Sequence, residues 1–499
     1  MYTVLPQTSA AFEALSWAEI EPWYAELTAT ELSQETLRPW LLQWSRLSEL
    51  VDETLRWLEI ICTQNTADQE RALRRQRFLN DIYTPVQTFD QRIIQQLLAS
   101  GLEPEGFAIP LRNLRVESEL FREANLPLLN KDKHLGVEYN TICGARIVPW
   151  EGKEVSITSL RPVLASPDRE LRESAWRVTQ DRRLADRERL NAIWVEMVQV
   201  RQQIAHNAGY ESYRDYRWRQ MLRFNYTPAD CKAFHEAVEQ VIVPAVSHLL
   251  EERRQVLNIE TIRPWDINVN PWTNEPPRLI SDVDALLTQC ATVFRLIDPT
   301  LGGYFETMIR EQLLDLEDRP FKAHIGYNLP LEVRKRPFIF GLVTSVRDIV
   351  PLIFHEAGHA FHVFEMGHLP YLHQRKEEAL PVEFAEVAST SMELIGSMHL
   401  HSAGLCTEAE AAQLRLPHLE TLLWLMLQSV AGDAFQHWVY EHPEQAMNPD
   451  ACDQKWAELY RRYYPGVDWH DLEAALKIGW QQIPHFFGTP FYYIEYAFA

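Results

Sequence analysis

The stretch SVRDIVPLIFHEAGHAFH, residues 345–362, decides how the rest of this chain is read. Ser345 and Asp348 stand at capping-box spacing, with Asp in the place usually held by Glu or Gln, so a helix is expected to start here. Pro351 suits a first-turn position, where its missing N–H costs little. His355 and His359 are four residues apart. On a helix they lie one above the other, and their imidazole nitrogens can reach one ion at about 2.0–2.1 Å. Glu356 projects beside them, close enough to take a proton from a water at that ion without itself being a ligand. Two ligands and a general base thus fall within five residues. The flanking Ile349, Leu352, Ile353, Phe354, Ala360 and Phe361 are apolar, a setting in which charged groups need a chemical reason. The arrangement implies metal-assisted hydrolysis of peptides. Zinc is the default metal, one ion per chain, although cobalt or manganese also suits such donors.

A third protein ligand is required. One class of such sites takes a glycine seven residues and a histidine ten residues after the first ligand. Here those positions are His362 and Glu365, so that pattern fails. The alternative is a carboxylate from a second helix, and PVEFAEVASTSME, residues 381–393, fits one. Pro381 suits its first turn, while Ala385, Ala388 and Ser389 permit close contact between helices. Glu386, Ser389 and Glu393 share a face at i, i+3 and i+7. Spacing leaves Glu383 and Glu386 both open as the ligand.

Working outward, residues 319–345 form the clearest non-helical region. Residues 322–328 and 337–343 are short and β-prone, a small β element just ahead of the metal helix. The second of these is expected to pair with an extended substrate backbone. Elsewhere apolar residues recur at helical spacing, as in Leu37–Leu41–Trp44–Leu47 and Phe234–Val238–Ile242, and only 18 residues are glycine. The expectation is a mainly α protein. The first 115 residues read as several helices. Residues 151–158 read as a loop or short strand, Ser166 as an N-cap with Pro167 at the first helical position, and the four-proline stretch 264–277 as a loop.

The bulk properties narrow the partners. The 499 residues are 46% hydrophobic and 11% aromatic, enough for a large core. With 48 basic and 70 acidic side chains the formal charge is −22, which repels nucleic acid and anionic membranes. The basic cluster 71–77 reads as a solvated helix face. Six cysteines, Cys62, Cys143, Cys231, Cys290, Cys406 and Cys452, are scattered singly with no CxxC pair. That pattern, together with an amino terminus lacking signal-peptide regions and the absence of a long apolar run, implies a soluble cytoplasmic protein with reduced thiols. Oligomeric state leaves no trace in the sequence.

These motifs together resemble the thimet oligopeptidase family of zinc peptidases, in particular its oligoendopeptidase F branch. The resemblance rests on HEAGHAFH (355–362), AEVASTSME (385–393), RPFKAHIGYN (319–328), SPDRELRESAW (166–176) and IPHFFGTPFYYIEYA (483–497), and covers most of the chain beyond residue 150. It implies a helical body cut by a deep channel that admits short unfolded peptides, with an N-terminal helical region (1–150) ahead of the catalytic region (151–499). It assigns Glu386 as third ligand and Glu393 as the group orienting a ligand histidine; His362, one turn past His359 on the same side, is expected to touch substrate, the alternative being packing. It also makes His485 and Tyr496, then Tyr493, the donors to the oxyanion. The family normally continues with further helix beyond the point where this chain stops at Ala499, so a truncated chain is one expectation. Endopeptidase action on internal bonds is the implied activity. A helical zinc metallocarboxypeptidase and an inactive peptide-binding relative are the competing readings.

Overall fold

The computed structural model describes residues 4–272, 278–323, 325–376, 379–381 and 383–499. It is 70% helical, with five short strands among the described residues. The chain divides into two compact units. The first comprises Met1–Ser118 and Pro277–Arg415 with Ala499, the second Glu119–Pro276 and Leu416–Phe498. Each unit draws on both sides of residue 150 and closes through contacts between segments remote in sequence.

In the first unit, helix Leu37–Gln64 buries Leu37, Trp40, Leu41, Trp44, Leu47, Leu50, Val51, Leu58 and Ile61 on one side. These positions follow the three-and-four rhythm of a single helix face. Burying each such side chain contributes about 1.5–3 kcal/mol. Helices Trp17–Ala29 and Thr84–Ser100 complete this core.

A second core in the same unit carries a three-stranded sheet. β1 (Ile147–Trp150) and β2 (Lys153–Ser156) form a separate hairpin in the other unit. Here β3 (Leu314–Asp315), β4 (Tyr327–Leu331) and β5 (Arg336–Phe340) are ordered β3-β5-β4. β5 pairs with β4 antiparallel from Leu331↔Arg336 to Tyr327↔Phe340, and with β3 parallel through Leu314↔Ile339 and Asp315↔Phe340. The stretch 337–343 therefore does not offer a free edge to a substrate. Its strand is central, flanked by β4 along its length and by β3 at its far end, and β4 is the marginal strand. The buried Lys322 pins the loop before β4. Its Nζ donates to Asp315 Oδ1 at 2.8 Å and to the carbonyls of Asp315, Glu317 and Gly341. Phe338, Ile339 and Phe340 pack in one cluster with Ile349, Val350, Ile353, Phe354 and Ala357, which fixes the following helix against the sheet.

The second unit is helical apart from the β1–β2 hairpin, whose turn residues Glu151 and Gly152 both have positive φ, as a tight hairpin turn requires. Helix Arg169–Ala185 is capped by Asp168, which accepts from Glu170 and Leu171 N–H, rather than by Ser166. The buried Arg172 takes the Ser166 and Pro167 carbonyls, at 2.7 and 3.0 Å, and so holds both residues outside the helix. Helix Pro228–Val256 buries Cys231, His235, Val238, Val246 and Leu250; Phe234 is only half-buried, one position off the expected stripe. In the proline-rich loop, Pro264–Asp266 forms a 3-10 turn, and residues 273–277 lie outside the described residues. All six cysteines are free. Among the described residues no helix is long and apolar enough to cross a membrane.

Candidate metal centre and histidine–tyrosine cluster

The helix that carries the metal motif starts in two irregular stages. Ser345 caps a 3-10 turn, Val346–Asp348, with the Asp348 carboxylate accepting from Ser345 N–H at 2.8 Å. A π-helical turn, Ile349–Phe354, follows, and regular helix runs His355–Met366. Pro351 sits inside the π turn, not in the first turn of the regular helix. A proline ring clashes with the carbonyl four residues back, and the wider turn relieves that clash. His355 N–H accordingly reaches the Val350 carbonyl, five residues back. The π turn thus ends at the first histidine.

The second helix, Glu383–Ser397, begins two residues beyond Pro381 and buries Glu386, Ser389 and Glu393 on the side facing the first. Gly358, between the two histidines, makes this approach possible. A Cβ there would lie 2.5 Å from the Ala388 carbonyl oxygen and 2.6 Å from Ser389 Cα, closer than any real contact. The small residues of the two helices meet backbone to backbone.

That contact brings three potential ligands together. One atom each of His355, His359 and Glu386 lie within 4.8 Å of one another. Glu386 Oε2 is 3.7 Å from His355 Nε2 and 3.9 Å from His359 Nε2. A tetrahedral zinc with bonds of about 2.0–2.2 Å separates its ligand atoms by roughly 3.3–3.6 Å, so small adjustments would seat the ion. The donor set of two imidazoles and a carboxylate fits zinc. Glu383 is not in the cluster. Glu393 Oε1 is 2.5 Å from His355 Nδ1, so that nitrogen donates and Nε2 presents its lone pair toward Glu386. Ser389 Oγ donates to Glu386 Oε2 at 3.1 Å and steadies the carboxylate.

Electrostatics divide the roles. Burial pushes the Glu356 carboxyl up to about 7; His355 opposes this, while Glu386 and Glu393 add to it. Burial pushes His359 down to about 4, which keeps the imidazole neutral, the form that binds metals. For His355 burial works in the same direction, but the Glu393 hydrogen bond and charge outweigh it and hold its pKa above the usual histidine value. His362, half-buried one turn beyond His359, is lowered by burial.

The other residues singled out in the sequence form a cluster within the second unit. His485 Nε2 is 3.3 Å from the Tyr496 hydroxyl, and its ring lies 4.8 Å from that of Tyr493 and 6.1 Å from that of Tyr492. Burial lowers the His485 pKa and raises that of Tyr493. Three arginines hold this segment by its carbonyls. Arg201 donates to Phe486 and Phe487, Arg217 to Pro490, and Arg223 to Phe491 and to the buried Glu495 carboxylate. Phe491 adopts a left-handed backbone, φ 64°, its N–H bound to Gln436 Oε1 at 2.7 Å. These arginines had no signal in the sequence beyond their charge.

Comparison with known proteins places this geometry in context. The model of Peptidase family M3 matches residues 163–278 and 293–499. Among solved structures, PZ peptidase A with an inhibitor superposes with a TM-score of 0.83 at 24% identity, covering 97% of this chain and 85% of its own. A candidate oligoendopeptidase F of Bacillus anthracis gives 0.78 at 22% identity, covering 97% and 84%. Oligoendopeptidase F of Enterococcus faecium gives 0.56 at 15%, covering 97% and 86%. These likenesses are of fold. Comparison with curated proteins finds no match.

Proposed function

Since the chain belongs to Peptidase family M3 and is a peptidase, we propose that it is a zinc-dependent oligoendopeptidase acting on internal bonds of short unfolded peptides. The observation that carries this reading is the convergence of His355, His359 and Glu386, with Glu356 beside them on the same helix. His355, His359 and Glu386 would hold the ion. When bound, zinc supplies Lewis acidity, polarising a peptide carbonyl and making a nearby water a better proton donor.

The chain's own residues do the rest. Glu356 accepts the proton of the attacking water on its carboxylate and passes it to the leaving amine. Glu393 holds His355 in one tautomer throughout. The marginal strand β4 gives substrate a backbone to pair with, and it starts beside the base: a Cβ on Gly326, the residue before β4, would lie 3.7 Å from Glu356 Oε1. Pairing through main-chain groups reads few side chains and suits broad tolerance. His485 and Tyr496 are assigned as donors to the negative oxygen of the tetrahedral state, with Tyr493 next. The family resemblance motivates this assignment, and the His485–Tyr496 contact supports it. His362 is assigned to substrate contact. The partners on this reading are short peptides, without nucleic acid or membrane, in the cytoplasm.

An internally quenched peptide of about ten residues tests the reading, with products identified by mass. Internal cleavage that stops on chelation and returns with zinc is the expected result. Stepwise loss of terminal residues would favour a carboxypeptidase, and zinc uptake without cleavage a peptide-binding role; either overturns the proposal.

A further inference from the structure

A second group of metal-binding side chains lies within the second unit and has no part in the chemistry above. Helix Pro228–Val256 carries Cys231 and His235 four residues apart; helix Glu408–Glu441 carries Asp433 and His437, also four apart. Each pair therefore occupies one face of its helix, and the two faces meet. All four residues are buried: Cys231 and Asp433 are 0% exposed, His437 2% and His235 5%.

The distances converge on the carboxylate. His235 Nε2 is 2.9 Å and His437 Nε2 3.2 Å from the same oxygen, Asp433 Oδ2. Ligand atoms of Cys231, Asp433 and His437 all lie within 4.8 Å of one another. The edges of a zinc tetrahedron built from nitrogen and oxygen donors are about 3.3 Å long, so the His437–Asp433 separation is near that value, while the His235 contact is a hydrogen bond.

Hydrogen bonding within the group is incomplete. Asp433 Oδ1 has no partner, and neither ring nitrogen of His437 has one with hydrogen-bond geometry, although both residues are buried. Leaving buried polar atoms unmatched costs about 1–3 kcal/mol each, and more for a charged group. One cation would answer a carboxylate, an imidazole and a thiol at once.

We propose that Cys231, Asp433 and His437 form a second transition-metal site that fastens these two helices together, with His235 hydrogen-bonded to the Asp433 carboxylate. A thiol with an imidazole and a carboxylate selects zinc or a similar borderline metal over calcium or magnesium, which prefer all-oxygen shells. All three donors are buried within the unit, so the role is structural. Binding releases the Cys231 thiol proton to solvent, and no redox step is involved. The inference stands independently of the peptidase site.

Cobalt as the probe separates the two sites, because only this one contains a thiolate. The chelated full-length protein is titrated with Co²⁺ while the thiolate-to-cobalt charge-transfer absorption is followed. The parent is expected to take up two equivalents and show the band. A His355→Ala/His359→Ala variant should keep one equivalent and the whole band. Cys231→Ser should keep one equivalent and lose it. A parent that binds without any charge-transfer band overturns the proposal, as does a band that survives in Cys231→Ser. Neither the parent nor the double-histidine variant alters the proposed site, so poor folding of Cys231→Ser cannot mask the outcome.

Discussion

Glu393 Oε1 lies 2.5 Å from Nδ1 of His355, although the two residues are 38 positions apart on different helices. The contact fixes which nitrogen of His355 remains available as a ligand, and it makes that ligand more basic. Metal ligands deprived of such a partner typically lose about 10–100-fold in affinity. Glu393→Gln is therefore expected to weaken zinc binding by that order, with the fold intact. Competition against a chromophoric chelator measures it, and an unchanged affinity would show that the contact does not tune the site.

Gly358→Ala should act through packing. The new methyl meets the Ala388 carbonyl oxygen at 2.5 Å, and two backbones must part to admit it. Overpacking of this kind costs about 1–3 kcal/mol. Because the same contact brings Glu386 to the histidines, zinc affinity should fall along with thermal stability. A variant with parental melting temperature and zinc affinity would refute the close-approach argument.

Tyr496→Phe removes one hydroxyl beside His485. If that hydroxyl serves the oxyanion, kcat should fall by about 10²–10³-fold while KM changes little. Equal effects on both constants, or none, would remove Tyr496 from the mechanism.

Asp315 should set part of the acid stability. Burial would raise its pKa, but hydrogen bonds from Arg319, Lys322 and Gln64 outweigh it and bring it down to about 2. The folded value lies below the unfolded one of about 3.9, so the stabilisation is full above the unfolded value and is lost as pH falls from there through the folded value. The linked free energy is about 2 kcal/mol. Asp315→Asn should lower the urea midpoint at pH 7, and the gap from the parent should close by pH 2. A gap that does not narrow would contradict the assignment.

Much of the histidine-bearing helix was legible because its pattern is local. Ser345 caps, the histidines share a face, and Glu386, Ser389 and Glu393 line one side of the partner helix. Features that depend on distant partners were not. The two-residue strand β3 is too short to show a period, so the central position of β5 was hidden. Asp168 displaces Ser166 as a cap because Arg172 folds back onto the preceding carbonyls. Pro351 forces a π turn that spacing does not signal. Asp433 stands 198 positions from His235 on another helix, so the grouping of Cys231 and His235 with Asp433 and His437 has no local signal in the sequence. Gly358 stood in view between the histidines, but its function needs the backbone of Ala388.

The most direct test of the central claim is the pair of zinc content and peptide cleavage in Glu356→Gln. The substitution keeps the shape of the side chain and removes only its capacity to take a proton. Zinc equal to that of the parent is expected, with a kcat lower by about 10²–10⁴-fold, the usual contribution of a general base. Cleavage at the parental rate with zinc in place would contradict it.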